Sequence, residues 1–166
     1  MSGLARISRP WWFNEHTLLD YLYLPHKDEQ MVQDWKAQGY ANMHLNGAVY
    51  GQDRGLPDWA ARFRNVFPWT NIGIAVYRMN TGDILPVHSD HYISYKKMFN
   101  ILKSEDVKRA IVFLEVWKSG HYFEIDGKSI SNWQKGDYVF WTGEAPHMAA
   151  NFGIEPRYTM QITGTI

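Results

Sequence analysis

The sequence predicts an α+β protein that is mainly β, with a jelly-roll core behind a helical N-terminal part. Apolar residues recur at helical spacing before about residue 70, and short strand-like runs separated by turn residues follow. These runs are closely and regularly spaced, which is typical of a sandwich or jelly roll. A length of 166 residues suits one domain, so we expect a single domain over 1–166, with the helical part at about 1–70 and the core at about 71–166.

Two helices are predicted in the N-terminal part. Residues 29–38 carry Met31 and Trp35 at helical spacing, and Gly39 follows as a C-cap. Residues 57–66 form the second, with one proline in its first turn and another just beyond its end. We expect both helices to pack on one sheet from outside.

The strand predictions rest on runs of β-branched and aromatic residues bounded by glycine, proline and asparagine. The predicted strands are residues 72–78, 83–88, 108–118, 121–125, 128–133, 137–142, 147–151 and 157–163. Asp126 and Gly127 between two of these runs indicate a hairpin turn. Residues 95–103 fit a short helix or an ordered lid loop.

Charge and composition narrow the function classes. Seventeen basic and seventeen acidic residues give a net charge of zero, which offers no field for nucleic acid or an anionic membrane. The absence of cysteine excludes disulfides, thiolate metal sites and a cysteine nucleophile. No signal-like or membrane-spanning apolar run is visible, so we expect a soluble cytoplasmic protein with neither nucleic-acid nor membrane partners.

His88, Asp90 and His147 form the most informative pattern. Residues two apart on a strand face the same side, so His88 and Asp90 could converge on one ion, and His147 would come from another strand. Two imidazoles and one carboxylate leave open positions on a divalent iron, as in oxygen-activating non-haem sites. The alternative places His88 in a turn hydrogen bond and His147 in the core.

The other histidines lack a companion pattern. His91 is the main rival ligand, although its odd offset from His88 puts it on the opposite face of a continuing strand. The remaining four are interpreted as structural or surface residues: His16, His26, His44 and His121.

Arg157 follows the distal histidine by ten residues and could grip a carboxylate through two parallel N–H bonds. Thr159 lies on the same strand face and could add a hydroxyl donor, and Tyr77 is a candidate second donor. Lys108 and Arg109 open the strand that faces the site. Lys108 better fits a solvated strand end, and Arg109 is grouped with the co-substrate residues.

These interpretations have structural alternatives. For Arg157 the alternative is an ion pair with Glu155 or Asp137, and for Tyr77 it is a place in the core.

The site motifs resemble those of the Fe(II)- and 2-oxoglutarate-dependent dioxygenases over about half the chain, roughly residues 77–164. The ending, with His-x-x-x-Asn and then Arg-x-Thr, resembles the aspartyl/asparaginyl β-hydroxylase and prolyl 4-hydroxylase branches. The matching stretches are GDILPVHSD at 82–90, RAIVFL at 109–114, WQKGD at 133–137, PHMAAN at 146–151 and PRYT at 156–159.

The resemblance implies a double-stranded β-helix with His88, Asp90 and His147 as iron ligands. It also implies Arg157 as the anchor of the far carboxylate of 2-oxoglutarate, and Arg109 as a residue that faces the site. The expected reaction uses dioxygen to hydroxylate a C–H bond of an amino acid, a peptide or another small molecule, with release of succinate and CO2.

Two other functions stay open: a non-oxidative metal cupin enzyme and a non-catalytic jelly-roll binding module. Residues 91–105 and the aromatic run at 11–13 are candidates for lining or covering the mouth of the pocket.

Overall fold

The structure is a computed structural model that describes residues 4–40 and 44–166. Its strands fall into two sheets. They are β1 (Ala5–Arg6), β2 (Leu22–Tyr23), β3 (His44–Leu45), β4 (Ala48–Gly51), β5 (Thr70–Met79), β6 (Asp83–His88), β7 (Lys108–Phe113), β8 (His121–Ile125), β9 (Lys128–Ile130), β10 (Asp137–Thr142), β11 (His147–Asn151) and β12 (Arg157–Thr165).

Three α-helices are described: α1 (Glu29–Trp35), α2 (Asp58–Ala61) and α3 (Ile93–Phe99). The Asp28 side chain caps α1 by accepting from the Met31 amide, and a wider turn, Lys36–Tyr40, ends the helix at the left-handed Gly39 (φ 109°). A 3-10 turn, Arg62–Asn65, continues α2. Both N-terminal helix predictions are therefore confirmed, and α3 resolves the ambiguous stretch at 95–103 as a helix that begins two residues earlier. No helix in the described ranges is long and apolar enough to cross a membrane.

The strand order identifies a double-stranded β-helix. One sheet has the order β1-β10-β7-β12-β5-β4-β2 and the other has the order β3-β6-β11-β8-β9. From β5 onwards, β10, β7, β12 and β5 form the centre of the first sheet, and β6, β11, β8 and β9 face them in the second. Eight antiparallel strands shared in this way between two sheets are a jelly roll. The fold class predicted from the sequence is confirmed.

Some strand boundaries differ from the prediction. The strand predicted over 108–118 ends at Phe113. The next carbonyl, that of Leu114, accepts a hydrogen bond from the indole N–H of Trp12 (2.9 Å) and not from a neighbouring strand. The strand predicted over 128–133 ends at Ile130. The short strands β1 to β4 were not predicted, since each has only two to four residues and too few positions to show a period.

The first sheet has two different faces. Along β12, Met160 and Ile162 point outward into an apolar cluster that includes Trp12 and Phe63, and the alternate residues point into the space between the sheets. The 3-10 turn that follows α2 contributes Phe63, so this part of the chain packs on the outer face as expected.

The first helix packs elsewhere. Trp35 of α1 is buried, its ring lies 5.6 Å from that of His88, and its indole N–H donates to the Val87 carbonyl (3.4 Å). α1 therefore lies beside the predicted metal ligands and does not share a packing face with α2.

Candidate metal centre

The structure brings His88, Asp90 and His147 together. His88 is the last residue of β6, His147 is the first residue of β11, and the two are directly paired in the sheet. The Nε2 atoms of His88 and His147 lie 3.5 and 3.6 Å from carboxylate oxygens of Asp90. One potential ligand atom from each residue lies within 4.8 Å of the others, so the three could hold a metal ion.

Asp90 reaches this position by a different route from the one predicted. The sequence places His88 and Asp90 on one strand, but β6 ends at His88 and Asp90 lies in the following loop. The alternation of strand residues therefore cannot orient its carboxylate. Arg109 of the opposite sheet does contact it, with Nη1 at 2.8 Å from Oδ2.

Backbone carbonyls set the orientation of both imidazoles. Nδ1 of His88 lies 2.8 Å from the Pro86 carbonyl, and Nδ1 of His147 lies 2.9 Å from the Ala145 carbonyl. A carbonyl only accepts, so each Nδ1 carries the proton and each Nε2 keeps its lone pair. A hydrogen bond from the ring nitrogen that does not face the metal is the usual support of a metal-binding histidine.

The spacing of the three side chains fits an ion. Atoms that each lie about 2 Å from one ion lie roughly 3–4 Å from one another. The observed 3.5 and 3.6 Å fall in that range and exceed the length of an ordinary hydrogen bond. The alternative of a turn histidine and a core histidine does not account for this convergence, and the nitrogen–carboxylate donor set suits a divalent transition metal.

The electrostatics favour the protonation states that a metal needs. Burial lowers the pKa of His147 to about 4, and the positive potential of His88 acts in the same direction, so the ring is neutral near pH 7. Burial alone would raise the pKa of Asp90, but the positive charge of Arg109 holds it well below its usual range. Asp90 is therefore an anion next to the neutral ring of His147.

Arg157 lies in the same cavity as the triad, a space of about 930 Å³. The residue is only 3% exposed, and its guanidinium carbon lies 5.6–5.8 Å from the ring centroids of Phe113, Phe123 and Trp133. Its Nε and Nη2 have no hydrogen-bond partner among the described residues, and Nη1 meets only the Met79 sulfur at 3.7 Å. Burial lowers the pKa of Arg157 to about 9, so the group remains a cation at neutral pH.

The alternative ion pairs of Arg157 do not form. Asp137 is bound by Arg6, and Glu155 pairs with Lys118 at 3.3 Å. An unpaired buried cation costs several kcal/mol, which aromatic rings on its faces offset only in part. The Nε and Nη2 groups of Arg157 are therefore buried donors that no described residue satisfies.

Two hydroxyl groups belong to side chains that line the same cavity. Thr159 and Tyr77 are directly paired between β12 and β5, and both line the cavity. No hydrogen bond within the described residues uses either hydroxyl, and burial raises the pKa of Tyr77, which keeps the phenol protonated. Both are available as donors. Lys108, by contrast, donates to Thr142 at 2.9 Å at the exposed end of β7.

The rival histidines lie outside the triad. His91 is exposed and faces Glu144 at 3.2 Å. His16 pairs with Glu115, and His121 lies 2.9 Å from the carbonyl of Glu155. The side chain of His44 lies outside the described part of the structure.

The sequence did not identify His26 as a site residue. His26 lines the cavity, and its Nδ1 accepts from the Asp28 amide at 3.1 Å, so the proton of the neutral ring is on Nε2. Its ring lies edge-on to Trp35 and to His88. A lone histidine before a short helix carries no spacing signal, and only the folded chain shows its location.

Of the two segments predicted to line or cover the cavity, one lines it and the other does not. Tyr95, Met98 and Phe99 of α3 line it, in agreement with the prediction for residues 91–105. The prediction for residues 11–13 was wrong. Trp11 and Trp12 belong to the apolar cluster on the outer face of the first sheet, and none of the three lines the cavity.

Comparisons with known proteins give structural neighbours only. No protein-family model matches the chain, and no curated protein sequence matches it either. The solved structures it resembles are cupin and double-stranded β-helix proteins.

Three of these structures serve as examples of the sequence identity and structural similarity. The cupin domain of a transcriptional regulator from Enterobacter cloacae has 14% identity and a TM-score of 0.44, with 71% of this chain and 95% of that chain covered. The cupin domain of Cnp3 from Schizosaccharomyces pombe has 12% identity and a TM-score of 0.43, with 75% and 69% covered. A Klebsiella pneumoniae protein with a double-stranded β-helix domain has 13% identity and a TM-score of 0.40, with 58% and 70% covered.

Proposed function

We propose that this protein is an Fe(II)- and 2-oxoglutarate-dependent dioxygenase that hydroxylates a C–H bond of an amino acid, a peptide or another small molecule. Dioxygen is the second co-substrate, and succinate and CO2 are released. The proposal combines a His-Asp-His group that could hold a metal with a buried cation in the same cavity. Either feature alone would fit many proteins.

The observation that carries the proposal is the unpartnered guanidinium of Arg157. A non-oxidative metal cupin and a binding module both leave this buried charge without a function. A small dicarboxylate gives it one, because a carboxylate in the plane of the guanidinium satisfies the free Nε and Nη2 donors together.

The remaining residues of the proposed co-substrate site would bind and orient 2-oxoglutarate. The hydroxyls of Thr159 and Tyr77 would donate to the same carboxylate from neighbouring strands. Ile111, Phe123 and Ala149 line the cavity and would exclude water from the bound dicarboxylate. Its other end, a 2-oxo acid, would then face the triad.

His88, Asp90 and His147 would hold the iron, which when bound supplies the activation of dioxygen for oxidative decarboxylation and C–H oxidation. The two imidazoles offer Nε2 because backbone carbonyls hold their Nδ1 protons. Three protein ligands leave positions for a chelating 2-oxo acid and for dioxygen. No side chain is required as a general base in this scheme.

The substrate would approach past α3 and the segment that carries His26. Tyr95 and Met98 line one side of the cavity, and Leu24 and Met31 line another. A space of about 930 Å³ is near the upper end of ordinary ligand pockets, so it would admit a substrate as well as the small dicarboxylate.

The test measures succinate release from 2-oxoglutarate by anaerobically purified protein with Fe(II), after addition of dioxygen and a library of candidate substrates. We expect succinate formation that requires both iron and 2-oxoglutarate. A metal cupin enzyme of another type would bind metal but form no succinate, and a binding module would bind neither. Either of those results rejects the proposal.

A further inference from the structure

Asp90 differs from the two histidines in how its position is fixed. His88 and His147 are paired residues of adjacent strands, and each ring is oriented by a carbonyl of its own chain segment. Asp90 lies in the irregular residues between β6 and α3, where no sheet register fixes its backbone. Its carboxylate oxygens lie 3.5 and 3.6 Å from Nε2 of the two histidines and 2.8 Å from Nη1 of Arg109.

Arg109 is itself held firmly. It lies on β7 in the middle of the opposite sheet, paired with Trp141 on one side and Thr163 on the other. Its side chain is 9% exposed, and its Nε has no hydrogen-bond partner in the described ranges. Its short contact is with Asp90.

Arg109 also contacts Tyr92, which lies in the same loop as Asp90. The Arg109 guanidinium lies 4.9 Å from the centroid of the Tyr92 ring, and the Tyr92 hydroxyl donates to the Gly143 carbonyl at 2.7 Å. Tyr92 has a left-handed backbone (φ 52°), which a bulky residue adopts only when its surroundings enforce it. Arg109 therefore contacts the loop at Asp90 and at Tyr92, the two residues that flank His91.

We propose that Arg109 is a positioning residue that fixes Asp90 as a metal ligand from across the barrel, and that it does not bind the co-substrate. The inference rests on the proposed role of the triad. With one oxygen of Asp90 engaged by Arg109, the carboxylate offers its other oxygen to the ion. This role differs from the sequence-based expectation, which grouped Arg109 with the co-substrate residues.

Removal of Arg109 could change metal affinity in two ways, through the loss of its charge or through the loss of its contact with Asp90. The direction of the change distinguishes them. A guanidinium close to a divalent cation repels it, so loss of its charge alone would tighten metal binding. Loss of a residue that holds a ligand in place would weaken metal binding, typically 10–100-fold for a second-shell partner. The two explanations predict opposite changes.

The experiment titrates the metal-free protein with Mn(II) and, separately, with Co(II), without 2-oxoglutarate. It compares the wild type with Arg109→Met, Arg109→Lys and Lys108→Met. Lys108 is the control because it is the next residue on β7, carries the same charge and bonds to Thr142. We expect metal binding to weaken 10–100-fold in Arg109→Met and less in Arg109→Lys, with an altered visible Co(II) spectrum in both. Lys108→Met should match the wild type.

Unchanged or tighter metal binding by folded Arg109→Met overturns the inference. If circular dichroism shows that this variant does not fold, Arg109→Lys decides. At least about 3-fold weaker binding supports positioning, because a single ammonium cannot reproduce the guanidinium fork. Wild-type affinity together with an unchanged Co(II) spectrum overturns it.

Turnover measurements keep this inference separate from the proposed function. If the wild type binds metal and Arg109→Met weakens it, but no 2-oxoglutarate is consumed, the oxygenase proposal fails and the role of Arg109 stands. If the wild type consumes 2-oxoglutarate while the Arg109 variants bind metal normally, only the role of Arg109 fails. A wild type that binds no metal overturns both.

Discussion

The two faces of the first sheet are built from the same strands but have different chemistry. On β12, Met160 and Ile162 point outward into a cluster with Phe63. Arg157 and Thr159 point inward, and no residue that the structure describes bonds to Nε or Nη2 of Arg157. Burial is nearly complete on both faces. The outer face is stabilised by apolar side chains that pack against one another. The inner face carries potential metal ligands and a buried cation, which a bound metal ion and a bound anion would satisfy. We therefore expect mutations on the two faces to differ in kind.

The largest effect is expected at the inner face from Asp90→Ala. Loss of the carboxylate removes one of three ligands, so succinate formation should fall to background and the protein should lose most of its metal affinity. Glu105→Ala, which removes an exposed acid nearby in sequence, is the control. Succinate formation at the wild-type rate in Asp90→Ala would contradict the assignment of the triad.

Phe63→Ala tests the outer face. Phe63 is fully buried and lies 4.6 Å from the ring of Trp11 and 5.1 Å from that of Trp12. Truncation should lower the free energy of unfolding by about 3–5 kcal/mol, as measured by chemical denaturation. The fraction that remains folded should keep the wild-type 2-oxoglutarate requirement. A large change in that requirement would show that the two faces are not independent.

Arg157→Met should have the opposite sign on stability. The native protein buries an unpaired cation here, so an apolar residue of similar length should raise the free energy of unfolding of the ligand-free protein by about 1–3 kcal/mol. Arg62→Met, which removes an exposed guanidinium from the outer face, is the matched control. A loss of more than about 1 kcal/mol in Arg157→Met would mean that Arg157 contributes to packing like an outer-face residue.

The smallest effect is expected from Thr159→Val, which removes one hydroxyl and keeps the shape. A single hydrogen bond to a carboxylate contributes about 1–2 kcal/mol. The 2-oxoglutarate concentration for half-maximal rate should therefore rise about 5–30-fold, with little change in thermal stability. An unchanged requirement would remove Thr159 from the co-substrate site.

The sequence predicted the fold class and the strands of the second half well, because their alternation and turn residues are local signals. It also identified His88 and His147, which lie at strand ends where their order in the chain is informative. Asp90 does lie beside the two histidines, but strand alternation does not place it there, since Asp90 lies in a loop and contacts Arg109.

What the sequence could not show depends on contacts between distant segments. The pairing of Arg109 with Asp90 crosses the barrel, and the position of His26 beside His88 depends on how the N-terminal part folds back. The aromatic run at 11–13 looked like a pocket lining because composition does not reveal which face of a sheet a tryptophan covers. The unpartnered state of Arg157 is likewise visible only once its neighbours are known.

One binding measurement tests the central claim most directly. Calorimetric titration of the anaerobic Mn(II)-loaded protein would compare 2-oxoglutarate with 2-oxobutyrate, which keeps the 2-oxo acid but lacks the far carboxylate, in the wild type and in Arg157→Met. We expect the wild type to bind 2-oxoglutarate at least about 30-fold more tightly than 2-oxobutyrate, since removal of one partner of a buried guanidinium–carboxylate pair costs about 2–5 kcal/mol. We expect this preference to vanish in Arg157→Met. Equal affinity of the wild type for the two acids would contradict the account.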